Sequence, residues 1–130
     1  ENGLGCRTPC RAELARELVD AFREADFGEM CIETNGTIDV SGLGLDWVSC
    51  SPKVAEHAMK LKAANELRYV VHQGKGIPRP SIKAEHYLLS PAFQPDGTMK
   101  RTDLSWAIEL CKENPTWRLS IQQHKAWSVR

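Results

Sequence analysis

The sequence predicts an α/β domain built on a mainly parallel sheet, and three observations carry that prediction. Short apolar runs recur along the chain and end in polar or turn-forming residues, the segments joining them are too long for hairpins, and two long segments have helical periodicity. At 130 residues the chain has single-domain length, so residues 1–130 are expected to form one unit with a real core.

The first helix is expected from about residue 9 to residue 25. Thr8 and Pro9 suit its N-cap and first turn, and Leu14, Leu18, Ala21, Phe22 and Ala25 recur at helical spacing opposite Arg and Glu. Asp26-Phe27-Gly28 breaks it. Glu29-Met30-Cys31-Ile32 then reads as a buried strand running into Glu33-Thr34-Asn35-Gly36-Thr37. Asn35-Gly36 alone reads as a tight turn, because both residues tolerate positive φ. Polar residues at the carboxyl end of a strand are also what an open α/β sheet offers a ligand.

The pattern recurs. Asp46–Cys50 is a second strand stopped by Ser51-Pro52-Lys53, since Pro52 keeps its predecessor extended and cannot donate to a ladder. Residues 54–64 carry a weak stripe of Val54, Ala58 and Leu61, which suits a short helix. Glu66–Val71 is the third strand, ending at His72, and His86–Leu89 the fourth, ending at Ser90-Pro91. A second long helix over residues 102–113 presents Leu104, Ala107, Ile108 and Cys111 and stops at Asn114-Pro115. The last strand, Trp117–Ile121, alternates apolar with polar, as an edge or a half-covered face does. Two good helices and one weak one are too few to cover both faces of five parallel strands, so a further element or a partner is expected on the remaining surface.

Composition limits the function classes. Seventeen basic residues balance seventeen acidic ones and the pI is about 7.1, so the electrostatic footprint of a protein that grips nucleic acid is absent. No run of about 18 apolar residues occurs and the amino terminus lacks a basic-then-apolar leader pattern, so no membrane partner and a cytoplasmic location are expected. The chain begins with Glu1 and not Met, as a processed chain or a fragment would. Cys31, Cys50 and Cys111 lie in apolar stretches and are expected to be core thiols in a reducing compartment. Cys6 and Cys10 lack a third ligand nearby, which leaves a small zinc or thiol site as the least supported reading.

If the strands are parallel, one rim of the sheet collects Glu33, Thr34, Asn35, Ser51, Lys53, His72, Ser90, Gln122 and His124, a polar arc suited to a small polar ligand. Gln122 and His124 are two apart and would share a face of an extended segment. Taken alone, His72 and His86 read as ordinary histidines, Arg68 and Arg118 as arginines snorkelling from strand faces, and the four Trp residues as core.

In order and spacing, Glu33-Thr-Asn-Gly-Thr37, Ser51-Pro-Lys53 and Trp117-Arg-Leu-Ser-Ile-Gln-Gln-His-Lys125 resemble the carboxyl-terminal half of the 7-carboxy-7-deazaguanine synthase family of radical S-adenosylmethionine (SAM) enzymes, from about Arg11 to Arg130. The resemblance implies part of a shortened radical-SAM (β/α) barrel. It also implies ring contraction of 6-carboxy-5,6,7,8-tetrahydropterin to 7-carboxy-7-deazaguanine with loss of ammonia, in queuosine and 7-deazapurine biosynthesis. SAM, a 4Fe-4S cluster and Mg2+ are the implied cofactors, the cluster and Mg2+ being held by an amino-terminal half. By the same resemblance Glu33, Gln122, His124 and the terminal carboxylate of Arg130 would contact the pterin, and Thr34, Asn35, Ser51, Lys53 and Ser90 would contact SAM.

The family's three-cysteine cluster motif has no counterpart here, because the third cysteine is missing after Cys6 and Cys10. Ser90 stands where many members carry Gln before Pro, and Gln123 where Thr is common. A chain of this sequence alone is expected to be inactive, and to act as a homodimer or with its remaining half. The alternative is a truncated, non-catalytic module that keeps SAM or pterin binding.

Overall fold

The computed structural model describes residues 11–127. Thr8 and Pro9 of the expected helix start, Cys6, Cys10 and Arg130 lie outside the described residues. The elements follow in the order α1 (Arg11–Glu24), β1 (Cys31–Thr34), a 3-10 turn (Ser41–Leu43), β2 (Trp47–Cys50), a 3-10 turn (Glu56–Ala58), β3 (Ala63–Val71), β4 (Lys83–Pro91), α2 (Arg101–Glu113), β5 (Trp117–Leu119) and α3 (Gln123–Ala126). No described helix is long and apolar enough to cross a membrane.

All five strands are parallel and stand in the sheet in chain order, β1-β2-β3-β4-β5. The registers sort every side chain onto one of two faces, because successive strand residues alternate. On one face Cys50, Leu67, Tyr69, Val71, Leu89 and Trp117 are buried, and Val19 of α1 and Ala107 and Leu110 of α2 join them in the core. Tyr69 and Tyr87 pack their rings on Trp117 with centroids 5.9 and 5.3 Å away. On the other face the same registers align Glu33, Ser49, Glu66 and His86 in one row, and Arg68 with Leu88 and Arg118 in the next. That face is open and mostly polar. The helices therefore cover one side of the sheet, which is how so few of them suffice.

Several expectations need correction. β1 is not buried: Cys31 and Glu33 are exposed at the sheet edge, so Cys31 is no core thiol, whereas Cys50 is fully buried and Cys111 half-buried. The segment 54–64 forms only the 3-10 turn Glu56–Ala58, and β3 already starts at Ala63. Its stripe of Val54, Ala58 and Leu61 was too thin to hold a helix, and only Leu61 is buried. The helical stripe of α1 faces outward, with Leu14, Leu18 and Phe22 at 48%, 56% and 39% exposure, and the helix rests on Val19 and Ala15 instead. Of the Trp residues Trp117 alone is buried, and Trp127 is exposed.

Local chemistry fixes the joints. α1 ends where Asp26 takes a left-handed conformation and Phe27 N donates to Phe22 O at 3.1 Å, with the two rings edge to face. Arg23 ties the helix to the 3-10 turn between β1 and β2 by donating to the Leu43 and Gly44 carbonyls at 2.7 and 2.6 Å. The Glu56 carboxylate accepts from the Tyr69 hydroxyl and from the Ser81 amide and hydroxyl, at 2.9 and 2.7 Å for the last two. This single acid joins the turn before β3, the strand itself and the loop before β4.

Burial alone would raise the Glu56 carboxyl, but the hydrogen bonds from Tyr69 and Ser81 outweigh it and hold the group below its usual 4.5. Burial, then the hydrogen bond to Glu56, raises the Tyr69 phenol, so it stays a donor. A depressed carboxyl stabilises the fold above its unfolded pKa and loses that contribution as the pH falls through the folded value. The stability gap between the native chain and Glu56→Gln should therefore narrow as the pH falls from about 6 to about 3, as followed by urea unfolding. A gap that stays constant would remove this role from Glu56.

Candidate functional site

The site begins at the carboxyl end of β1. The ladder continues one residue past β2, Ser51 N donating to Thr34 O at 2.8 Å, so Thr34 and Ser51 are held side by side at the rim. Beyond Thr34 the chain turns sharply. The Thr34 hydroxyl accepts from Gly36 N at 3.1 Å, and the Asn35 side-chain carbonyl accepts from the Thr37 amide and hydroxyl at 3.1 and 2.7 Å. Both side chains thus substitute for backbone partners in the turn. Gly36 O accepts from the Lys60 and Leu61 amides at 2.9 and 3.1 Å, which anchors the turn to the segment entering β3.

The backbone at Gly36 favours glycine. Its φ is +80°, and a Cβ built there would lie 2.1 Å from Met59 Cε and 3.0 Å from Cys50 Sγ. Behind it Cys50 is inert, since burial and then the charge of Glu56 push its thiol up to about 11. The turn reading and the ligand reading of Glu33–Thr37 are thus compatible: the turn is what presents the strand end.

A pocket of about 300 Å³ opens at this rim, lined by Glu33, Thr34, Asn35, Ser49, Ser51, Lys53, Arg68 and Gln122. Six of the residues expected from the sequence therefore meet in one place. A second pocket, of about 260 Å³, continues down the open face along Cys31, Trp47 and Glu66 and shares Glu33, Ser49 and Arg68 with the first. Deeper on that face Trp47 stacks on His86 with ring centroids 5.9 Å apart.

The remaining expected residues stand elsewhere. Gln122 and His124 do not share an extended face, because the chain turns into the short helix α3 at Gln123. Gln122 reaches the pocket, while His124 is exposed and does not line it. Ser90 is buried inside β4 and is absent from the pocket wall. His72 is exposed on the loop after β3, bonded only to its neighbour Gln73 among the described residues. Glu33 is exposed, with no hydrogen-bond partner among the described residues.

Two lining residues escaped the sequence reading. Ser49 and Arg68 occupy the polar positions of alternating strands, Trp47-Val48-Ser49-Cys50 and Glu66-Leu67-Arg68-Tyr69. Period-two alternation was the available signal.

The described residues contain no group of three or more His, Cys, Asp or Glu able to hold a metal ion. Cys50 is in the core, Cys31 on the open face and Cys111 on α2, so these thiols do not fit an iron-sulfur cluster. The pocket's hydroxyls, amides and two cations do fit a small polar molecule.

No protein-family model matches the chain. Curated relatives are found along most of its length. It is 36% identical over 119 residues, 90% of this chain and 54% of the relative, to a 7-carboxy-7-deazaguanine synthase of Burkholderia multivorans. Proteins of the same name from Bradyrhizobium diazoefficiens and Nitratidesulfovibrio vulgaris are 36% and 37% identical, each match covering 87% of this chain and 52% of the relative. The chain spans about half the length of the curated relatives it matches.

Gly36→Ala should lower stability by about 1 to 2 kcal/mol, the cost of a left-handed φ, because the flexible end of Met59 can move aside. Urea unfolding measures it. A loss below about 0.5 kcal/mol would show that the turn relaxes and that Gly36 does not fix the strand end.

Proposed function

Because the chain belongs by sequence to the 7-carboxy-7-deazaguanine synthase family, we propose that it forms the carboxyl-terminal half of such a synthase and supplies one wall of its ligand pocket. The observation that carries this reading is the meeting of Glu33, Thr34, Asn35, Ser51, Lys53 and Gln122 around one pocket of about 300 Å³. These residues come from three separate stretches of sequence, each of which resembles the family.

In this reading residues 1–130 are a single unit of a partial radical-SAM barrel. Strands that follow one another in chain order, with helices on one face, support that winding. The reaction is ring contraction of 6-carboxy-5,6,7,8-tetrahydropterin to 7-carboxy-7-deazaguanine with loss of ammonia, in the cytoplasm. Ser51 and Lys53 hold SAM through its ribose and carboxylate, and Thr34 and Asn35 flank it. Glu33 accepts hydrogen bonds from the pterin edge, with Gln122 beside it. Ser90, His124 and Arg130 keep the contacts that the family implies only if the complete protein brings them to the pocket.

The cluster and Mg2+ are assigned to residues other than the described ones, as their donor sets require. Cysteines of the remaining half would hold such a cluster, which would supply an electron to SAM. The residues described here bind and orient. The rest of the synthase reaches the sheet at the free edge of β1, where Leu14, Leu18 and Phe22 are exposed; a homodimer through the same edge is the other arrangement.

In the full-length protein Lys53→Met should weaken SAM binding about tenfold and leave tetrahydropterin binding unchanged, while Glu33→Gln should do the reverse. Calorimetric titration of both ligands under anaerobic conditions decides it. Unchanged affinities in both variants would overturn the reading.

A further inference from the structure

The pocket contains a cation that the motifs do not account for. Arg68 projects from the middle of β3 onto the open face and lines both pockets, with its side chain 23% exposed. Its Nη2 donates to Glu66 Oε1 at 2.7 Å, and the Ser49 hydroxyl donates to the same oxygen at 3.2 Å. The guanidinium is thereby fixed at one corner by an acid that is itself held from the neighbouring strand.

The remainder of the group is unspent. Arg68 Nε is buried with no partner among the described residues, and so is Gln122 Oε1 on the same pocket wall. A guanidinium has five N–H donors in a planar fork, and only the bond to Glu66 engages them among the described residues. Leaving the buried Nε–H idle in that wall costs free energy unless a bound molecule takes it up.

We propose that Arg68, positioned by Glu66 and Ser49, is a specificity-determining residue that receives a carboxylate of the bound small molecule. The planar fork favours a planar oxyanion, which Lys53 at the rim cannot select by shape. The balance of charge separates a carboxylate from a phosphate. Lys53 and Arg68 face Glu33 and Glu66 across the two pockets, so the formal sum is zero. One singly charged group is accommodated there more readily than a dianion.

The assignment rests on the proposed synthase function for the identity of the ligand, and a carboxylate can come from either of its two ligands. The test uses the full-length protein and two pairs of probes: 6-carboxy- against 6-methyl-tetrahydropterin, and SAM against decarboxylated SAM. In the native protein the carboxylated member of one pair should bind more tightly. Arg68→Gln should weaken that member about tenfold to a hundredfold and leave its uncarboxylated partner unchanged, and Arg68→Lys should recover part of the loss. The pair that responds identifies the source.

Equal weakening of both members of each pair would make Arg68 a structural residue and overturn the proposal, as would no change in any of the four. If the native protein bound none of the four probes, the synthase reading would fall first and the assignment with it. Circular dichroism of both variants and of Glu66→Gln separates loss of the site from loss of the fold. Glu66→Gln should reduce the same discrimination without abolishing it, because it frees the guanidinium but leaves its charge.

Discussion

The rest of the structure depends on a parallel sheet that the described helices cover on one face only. A β-strand presents successive residues to opposite sides, so each strand divides its sequence between a packed surface and an open one. Leu67, Tyr69 and Val71 go to the core, while Glu66 and Arg68 go to the other side. The first set stabilises the fold through buried apolar area. The second set is released from packing and is free to carry chemistry. A slip of one residue in the pairing of β3 would exchange the two sets, and the same hydrophobic burial that fixes the register thus also fixes the site.

The fold was largely legible because it follows from local rules. Five strand segments, their parallel order and both long helices were marked by apolar runs, turn residues and helical spacing. What misled were apolar residues that no described element covers. Leu14, Leu18 and Phe22 have the period of a buried stripe yet are exposed, and Cys31 sits in an apolar run on an edge strand. Periodicity reports which residues share a face; what covers that face is a tertiary matter. The weak helix over 54–64 failed for the opposite reason, since Pro52 and the Glu56 network make that segment a bridge between strands.

The site was legible where it was sequential. Glu33–Asn35 and Ser51–Lys53 follow strands directly, and parallel pairing must bring such ends to one rim. Gln122 and His124 depended on how the chain leaves β5, and α3 separates them. Ser49 and Arg68 were overlooked because a serine or arginine inside a strand is usually a solvated residue of a half-covered sheet. Only the register, which sets Ser49 beside Glu66, shows them on the pocket side, Ser49 bonded across strands to Glu66 and Arg68 bonded along its own strand to the same acid.

The pocket also bears on how precisely the chain must be held. Its residues come from β1, β2, β3 and the segment after β5, so their spacing depends on the ladder and on two local anchors. Gly36 lets the turn after β1 press on Met59 and Cys50, and Glu56 binds the turn before β3 to Tyr69. Both anchors lie on the packed side of the sheet, opposite the pocket-lining face. A carboxylate reader such as Arg68 selects by geometry, and errors of about an ångström in such a site cost most of its benefit. The buried side is therefore where the selectivity of the open side is set. Substitutions there that leave every lining residue in place would still blur discrimination between ligands before they unfolded the chain.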